Sequence, residues 1–418
     1  MSVNPLATVA EPLMQWPELG VCRVPYQVFT DQALYDLEQT RIFRGDVWHW
    51  IGLEAETPNP GDFKTTAIGD TPVVMIRDAE RVMKVFVNRC AHRGAMLCID
   101  TRGNRKDFTC IYHNWSYDLD GNLKGVAFRH GVRNQGGLPP DFDVAAHHLH
   151  RLRVEVLHGL VFATFSECVA PLRSWLGARM TQHIERIFCR PVRLLGSYTQ
   201  YMHNNWKLYV ENVKDSYHAS LLHLFFTTFK LNRLSMEGAV EVSDSGGHHI
   251  SWSKMASDDS AGTEYEQGTL RAMQDDIRLA DRRLLQTWTE FPDGVTHAIQ
   301  TVFPNFVVQQ IQNSLALRLM VPKGIDACEL QWLLFGYADD TPEQTERRLL
   351  QSNLIGPAGF VSMEDGMVGN FIQRAIARDP QQTAVLEMGG REVERQGSRV
   401  SEAAVRGFWQ AYRAMMHV

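Results

Sequence analysis

The chain has 418 residues, of which 44% are hydrophobic and 22% charged, and its formal net charge is −6. That length accommodates two domains with a substantial core, and the negative charge argues against a broad basic surface for nucleic acid or anionic membrane. No apolar stretch approaches a bilayer span, and residues 1–20 lack the basic and apolar regions of a secretory signal. We therefore expect a cytoplasmic protein with free thiols outside its cysteine motifs, no nucleic-acid partner and no membrane association.

The first part of the chain has a β-rich pattern. Short β-branched or aromatic runs bounded by turn residues predict strands over 72–78, 85–90, 108–118, 152–157 and 160–165. Asp120-Gly121 predicts a tight turn. Residues 129–148 contain Gly-Gly and Pro-Pro with little periodicity, which predicts a long irregular connection.

Two Cys/His pairs lie within this segment. Cys90 and His92 form the first pair, Cys110 and His113 the second, and residues 93–109 separate them. Two thiolates and two imidazoles suit a Rieske-type [2Fe–2S] cluster, in which the cysteines bind one iron and the histidines the other. The alternative is a structural zinc site, since both residue types also bind Zn²⁺. The flanking strand patterns place the two pairs near the tips of neighbouring hairpins.

Beyond residue 166 helices and long apolar strands alternate. Helical patterns cover 171–187, 204–216, 341–355 and 401–416, and strands are predicted within 297–311 and 313–336. We expect an α+β fold, with a second domain made of an antiparallel sheet and helices packed on one side. The sequence has no Gly-x-Gly-x-x-Gly fingerprint, so electrons from NAD(P)H must arrive through a separate reductase.

His218 and His223 suggest a second metal site. Five residues apart, they lie about 140° apart around a regular helix, so both can face one ion only if the helix ends or bulges between them. Because a [2Fe–2S] cluster delivers single electrons, two-electron chemistry needs a second redox site. Two histidines and a carboxylate form the facial triad that binds Fe(II) and leaves positions open. Asp215 could accept the N–H of a ligating imidazole, and spacing alone leaves the third ligand open among 48 acidic residues.

The motifs Cys-x-His…Cys-x-x-His and Asp-x-Tyr-His-x-x-x-x-His resemble those of the large (alpha) subunits of Rieske non-heme iron aromatic ring-hydroxylating oxygenases. The similarity runs over nearly the whole chain. It is greatest to the terephthalate 1,2-dioxygenase type, in the stretches 204–223, 225–235, 245–249 and 355–366. Salicylate 5-hydroxylase and anthranilate or halobenzoate dioxygenase subunits are somewhat less similar.

The resemblance implies a residue assignment. Cys90, His92, Cys110 and His113 would hold the cluster, and His218, His223 and Asp365 the mononuclear Fe(II), with Glu364 as the competing carboxylate. Asp215 matches the acid that bridges a histidine of the iron site to a Rieske histidine of the adjacent subunit.

The resemblance also implies an architecture and partners. A Rieske domain of antiparallel strands would cover 42–165, and a helix-grip-like catalytic domain 1–41 and 166–418. Expected partners are a small beta subunit in an α3β3 complex and a flavin/iron–sulfur reductase or a ferredoxin, with O₂ as cosubstrate.

Two arginines bear on the substrate. Arg318 lies in an apolar strand, where an unpaired charge would be costly, and a guanidinium binds a carboxylate bidentately. The alternatives are that Arg318 faces solvent or pairs with an internal acid. By resemblance to the terephthalate type, Arg318 and Arg399 would each hold one substrate carboxylate, although the charged run 391–399 is also typical of a solvated loop.

The expected reaction adds both atoms of O₂ to an aromatic carboxylate, terephthalate foremost, and gives a cis-dihydrodiol. The rival enzyme activities are salicylate 5-hydroxylase-type monooxygenation and dioxygenation of anthranilate or a halobenzoate. A Rieske electron carrier is the non-enzymatic alternative, but a carrier would need neither residues 170–418 nor the second histidine pair.

Overall fold

The computed structural model describes residues 14–133, 135–255, 270–272, 274, 276–356 and 360–418. Helices and antiparallel sheets alternate along the chain as an α+β fold. Within the described ranges, none of the helices combines the length and the apolar character that crossing a bilayer would require.

The first described elements pack against the end of the chain. Strand β1 (Arg23–Pro25) precedes two helices, α1 (Gln27–Thr30) and α2 (Gln32–Arg41). Asp31 caps α2 by accepting the backbone N–H groups of Ala33 and Leu34.

Three small antiparallel sheets follow. Their strands are β2 (His49–Leu53), β3 (Asp62–Ile68), β4 (Thr71–Arg77), β5 (Met83–Val87), β6 (Arg102–Asn104), β7 (Phe108–Thr109), β8 (Ser116–Tyr117), β9 (Leu123–Gly125), β10 (Arg153–Leu157) and β11 (Leu160–Thr164). The orders are β5-β4-β3-β6, β7-β8-β9 and β10-β11-β2. The single strand predicted over 108–118 is therefore a hairpin, interrupted by the loop that carries Cys110 and His113.

Seven of the described strands form one large antiparallel sheet, and two more helices precede it in the chain. These helices are α3 (Leu172–Leu176) and α4 (Ala178–Ile187). The strands are β12 (Val192–Met202), β13 (Gly238–Val242), β14 (His249–Ser253), β15 (His297–Val302), β16 (Phe306–Ile311), β17 (Ser314–Gly324) and β18 (Ala327–Tyr337), in the order β12-β18-β17-β16-β15-β14-β13. Strand β19 (Thr383–Val385) lies outside this sheet and pairs with β1.

The helices that position the candidate site are α5 (Trp206–Lys214), α6 (Ala219–Leu222), α7 (Leu224–Thr228), α8 (Pro342–Ile355), α9 (Phe360–Ile376) and α10 (Ala403–Met416). Helices α5 and α10 share a core with one face of the large sheet, through residues such as Trp206, Phe408 and Val307. Met180 and Ile184 of α4 share a second core with the other face. Helices therefore lie on both faces of the sheet, whereas the sequence suggested one side.

Candidate functional site

Two similar loops present the Cys/His pairs. In each loop the cysteine N–H donates to the carbonyl five residues on, from Cys90 to Ala95 at 2.8 Å and from Cys110 to Trp115 at 2.8 Å. In each loop, the backbone N–H of the residue four positions after the cysteine donates to the cysteine carbonyl, at 3.0 Å. Both returning residues have positive φ, 74° at Gly94 and 54° at the corresponding asparagine. This shared turn buries the cysteine in each pair, whereas His92 is exposed and His113 is half-buried.

The two loops converge. Cys90 and Cys110 are both 2% exposed, and the rings of His92 and His113 lie 4.5 Å apart between centroids. The ring of His92 stacks on Trp115 at 4.7 Å. Only the second pair lies in a hairpin loop, because the first follows β5, which leads to β6 at the opposite edge of its sheet.

The buried sulfur of Cys90 lies within hydrogen-bonding distance of a tyrosine hydroxyl. The hydroxyl of Tyr117 lies 3.3 Å from Cys90 Sγ and accepts the N–H of Ala91 at 3.0 Å. Burial raises the pKa of the Cys90 thiol, and the neighbouring Cys110 adds to this. A metal would have to supply the charge that stabilises both thiolates here.

A break between two short helices brings His218 and His223 together. Helix α5 ends at Lys214, His218 precedes α6, and His223 separates α6 from α7 with φ −83° and ψ 98°. The two imidazole centroids are 5.2 Å apart. The helix end that the sequence required between these histidines is thus present.

Asp365 on α9 lies between the two imidazoles. Its Oδ1 is 3.4 Å from Nε2 of His218 and 3.3 Å from Nε2 of His223. In the part of the chain that the structure describes, these three residues form the group of histidine, cysteine or acidic side chains whose ligand atoms all lie within 4.8 Å of one another. Two histidines and one carboxylate match the donor set of a facial triad.

A further carboxylate lies behind each imidazole. Nδ1 of His218 is 3.4 Å from Oδ2 of Asp215, and Nδ1 of His223 is 2.8 Å from Oε2 of Glu364. This arrangement directs Nε2 of both rings toward Asp365. Glu364, the competing ligand in the sequence, therefore lies on the far side of His223 and orients it.

The charges at this site are closely coupled. Burial alone would lower the pKa of His218, but Asp215 and Asp365 outweigh it and raise that pKa to about 10. Although burial opposes ionisation of Asp365, the two imidazoles hold the pKa of its carboxyl well below the usual range. The Asp365 carboxylate is therefore ionised, as a metal ligand must be.

The three residues line a cavity of about 560 Å³ that includes space open to solvent. Its apolar lining includes Phe226, Ile299, Ile311 and Val361. Polar side chains that converge beside apolar walls are typical of small-molecule sites.

Arg318 lies in this cavity and is 5% exposed. Its Nη1 donates to the hydroxyl of Tyr209 at 3.0 Å, and its guanidinium lies 4.9 Å from the centre of the Trp332 ring. Among the ion pairs between described residues, none includes Arg318, so its charge faces neither solvent nor an internal acid. Its Nε is buried and finds no hydrogen-bond partner among the residues that the structure describes.

Arg399 lines the same cavity and is 2% exposed. Its guanidinium donates to the side-chain oxygen of Asn232 and to the carbonyl of Arg233. The solvated-loop interpretation is wrong for this residue, because Arg399 is buried while its neighbours Ser398 and Val400 are exposed.

Comparisons with known proteins agree with this geometry. Residues 47–134 match the Rieske [2Fe-2S] domain and residues 191–417 the ring hydroxylating alpha subunit (catalytic domain). The chain is 51% identical to the terephthalate 1,2-dioxygenase terminal oxygenase component subunit alpha 2 of Comamonas sp., over 97% of this chain and 98% of the relative. The chain belongs to the ring-hydroxylating oxygenase alpha-subunit family.

One further sequence relative and one solved structure agree with this assignment, the second at the level of the fold. It is 48% identical to the anthranilate 1,2-dioxygenase large subunit of Burkholderia cepacia, over 96% of this chain and 95% of the relative. The crystal structure of naphthalene 1,2-dioxygenase from Rhodococcus sp. superposes with a TM-score of 0.78, covers 94% of each chain and is 20% identical, which establishes the shared fold.

The chain is therefore the alpha subunit of an aromatic ring-hydroxylating dioxygenase. It has a Rieske [2Fe–2S] domain and the catalytic domain of a non-heme iron oxygenase, which uses O₂ and electrons supplied by a reductase. The predicted family, fold class and cofactors are confirmed. The zinc-protein and electron-carrier alternatives are wrong, because the family match covers both the cluster domain and the catalytic domain.

Two polar side chains at this site were not predicted from the sequence. Asn212 on α5 donates to Asp365 Oδ1 at 3.1 Å, and Gln309 on β16 lines the cavity. Asn212 lies six residues before His218 and so had a positional signal within the motif. Gln309 had none, since it lies in an ordinary apolar strand pattern.

Proposed function

We propose that this alpha subunit oxidises an aromatic carboxylate, terephthalate foremost, to a cis-dihydrodiol. The observation that carries this proposal is that Arg318 and Arg399 both line the cavity of His218, His223 and Asp365. Two buried guanidiniums at one iron site suit a ring with two carboxylates. The relative named terephthalate 1,2-dioxygenase supports the same substrate.

In this proposal His218, His223 and Asp365 hold the mononuclear iron, and Cys90, His92, Cys110 and His113 hold the cluster. The convergent geometry of each set supports the assignment. When bound, the iron and the cluster supply O₂ activation and single-electron transfer.

The chain's own groups then have distinct tasks. Glu364 accepts the Nδ1–H of His223 and fixes the orientation and tautomer of that ring. Arg318 and Arg399 hold the substrate carboxylates, so that the ring lies beside the iron. The apolar side chains of Phe226, Ile299 and Ile311 exclude water around the ring.

We further propose that Asp215 connects the iron site to the cluster of an adjacent subunit. Its carboxylate lies at Nδ1 of His218, and its side chain is 24% exposed, so a neighbouring chain can reach it. This role requires an assembly of several alpha subunits, and we propose α3β3 with a separate small beta subunit.

We also propose the domain division 42–165 for the Rieske domain and 1–41 with 166–418 for the catalytic domain. The pairing of β1 with β19 supports it, because the start of the chain is thereby joined to a strand near its end. The contact between Arg41 and the carbonyl of Met416 supports the same division.

Turnover with a defined substrate panel tests the proposed function. The alpha subunit, co-purified with its beta subunit and supplied with a reductase and NADH, is given terephthalate, benzoate, anthranilate and salicylate. A cis-dihydrodiol from terephthalate is the expected product. A phenol with one inserted oxygen atom would instead identify a monooxygenase of the salicylate-hydroxylase kind.

Anthranilate is the second candidate substrate, because the anthranilate 1,2-dioxygenase large subunit is nearly as similar as the terephthalate relative. Anthranilate has one carboxylate, so only one of the two arginines could hold it at a time. Preference for anthranilate in the panel would therefore overturn the dicarboxylate assignment.

A further inference from the structure

Gln309 is an unexplained polar side chain at the cavity. It is 1% exposed, and its buried Nε2 has no hydrogen-bond partner within the described ranges. Its neighbours in the cavity lining include Arg318, Trp332 and Ile311. A buried amide that lacks a partner costs stability, so an unmatched donor at a ligand cavity calls for a ligand.

Two other glutamines of the large sheet have buried amide groups that do bond protein partners. Gln300 on β15 is 0% exposed and bonds His183 and the carbonyl of Met180. Gln310, also 0% exposed, bonds Arg186 and the carbonyl of Val295. Gln309 differs from both because its amide N–H₂ group has no hydrogen-bond partner among the described residues.

The sheet register places Gln309 beside Arg318. Gln309 on β16 pairs with Ala316 on β17, and Arg318 lies two residues further along β17, so both side chains lie on the same face. Such diagonal neighbours lie about 7–8 Å apart at their backbones, within reach of long side chains. Arg318 in turn pairs directly with Trp332 on β18.

Three unmatched donors therefore lie together on this face. They are Nε of Arg318, Nε1 of Trp332 and Nε2 of Gln309, each buried and without a hydrogen-bond partner in the described part of the chain. A set made only of donors around one guanidinium is complementary to an anion with several lone pairs, which a carboxylate supplies.

We propose that Gln309 binds substrate and donates a hydrogen bond to the same carboxylate that Arg318 holds. The inference rests on the proposed function and deepens it, because it names a third contact for one end of the aromatic acid. Gln309 thereby contributes to the preference for an anionic group at this position over a neutral one.

A double-mutant cycle tests the shared contact. Gln309→Leu and Gln309→Met both remove the amide donor of this side chain. Calorimetry on each purified holoenzyme variant measures the Kd of terephthalate. We expect Kd to rise about 10-fold or more in both variants, since hydrogen bonds to charged groups are the stronger ones. In the double variant Gln309→Leu/Arg318→Met, the Kd of terephthalate should rise no further than in Arg318→Met alone. In Gln309→Leu/Arg399→Met, the two fold-increases in Kd should multiply.

Gln310→Leu is the matched control, because Gln310 is the next residue on β16 and points to the opposite face. It should leave the Kd of terephthalate unchanged. An unchanged Kd in both Gln309 variants would overturn the inference, and so would losses that multiply with Arg318→Met. Failure of the proposed function differs from either result, since the wild-type enzyme would then bind and oxidise no aromatic carboxylate in the panel.

Discussion

At the proposed iron site each imidazole has an acid on its Nδ1 side and shares Asp365 on its Nε2 side. Glu364 is the closer of the two outer acids, at 2.8 Å from Nδ1 of His223. We predict that Glu364→Ala lowers iron affinity or turnover about 10–100-fold, the range typical of partners that orient metal-bound histidines. Metal analysis of the purified protein measures the loss of mononuclear iron, while the EPR signal of the reduced cluster should persist.

Met363→Ala is the control for this substitution, because Met363 precedes Glu364 on α9 and is 42% exposed. It should retain full iron content and turnover. Equal iron affinity in Glu364→Ala and Met363→Ala would contradict an orienting role for Glu364.

If Arg318 and Arg399 each hold one carboxylate, their substitution should affect dicarboxylate and monocarboxylate substrates differently. We predict that Arg399→Met raises the KM for terephthalate about 10–100-fold, since a charged hydrogen bond is lost. The KM for benzoate should change much less, because Arg318 can hold its single carboxylate. Arg395→Met, which alters an exposed arginine of the same segment, should change neither value. Equal effects on both substrates would mean that Arg399 acts on the fold of the pocket instead.

At the scale of elements, the end of α5 is fixed by a buried lysine. Lys214 is 1% exposed, and its Nζ donates to the carbonyl of Gly247 at 2.9 Å and to the hydroxyl of Thr301 at 2.7 Å. Both acceptors are neutral. Burial lowers the pKa of Lys214 from 10.5 to about 7. The ammonium form is therefore costly in the folded state.

This burial predicts a pH dependence with a definite sign. Between pH 7 and 10.5 the unfolded chain binds the proton and the folded chain does not, so this residue makes stability rise with pH. We predict that Lys214→Met stabilises the protein most below pH 7 relative to wild type, and that this difference falls toward pH 10.5. Thermal melting across that range measures it. Lys323→Met, at a lysine with a 37% exposed side chain, should give no such trend, and a flat difference for Lys214→Met would contradict the prediction.

Many strands and helices followed from local patterns, but others, among them α2, β12 and α9, were not predicted. Helix α9, which carries Asp365, was not predicted from the sequence, because Gly366 and Gly369 weaken its helical pattern. Both glycines allow close approach: a Cβ at Gly366 would lie 2.8 Å from Gln200 Nε2, and one at Gly369 2.7 Å from Asn204 Nδ2. Similarly, Gly177 at φ 80° divides the predicted helix 171–187 into α3 and α4.

The metal-ligand candidates were readable from the sequence because the chemistry restricts them to few residue types at short spacing. Asp365 and Arg399 were predicted only through family resemblance, since both lie far along the chain from the histidines, whereas the apolar strand around Arg318 also pointed to that arginine. Gln309 could not be found at all, because its meaning depends on the neighbours that the sheet register brings to it. Long-range pairing of this kind leaves no local signal.

At the scale of the whole molecule, the cluster and the iron belong to different parts of the chain, and the proposed path runs between subunits through Asp215. We predict that Cys110→Ala, which loses the cluster, and Asp365→Ala, which loses the mononuclear iron, are each inactive alone. Co-expressed with different tags and purified as mixed complexes, they should regain part of the activity, because an intact cluster can then face an intact iron. An electron path within one chain predicts that the mixture stays inactive.

Asp215 supplies an internal control for the same experiment. Asp215→Ala placed in the Cys110→Ala chain, which keeps the iron site, should remove most of the regained activity, since that Asp215 contacts the His218 in use. The same substitution in the Asp365→Ala chain should leave the regained activity unchanged, because its iron site is already lost. Equal effects of the two placements would show that Asp215 maintains the fold or the assembly rather than the path from cluster to iron.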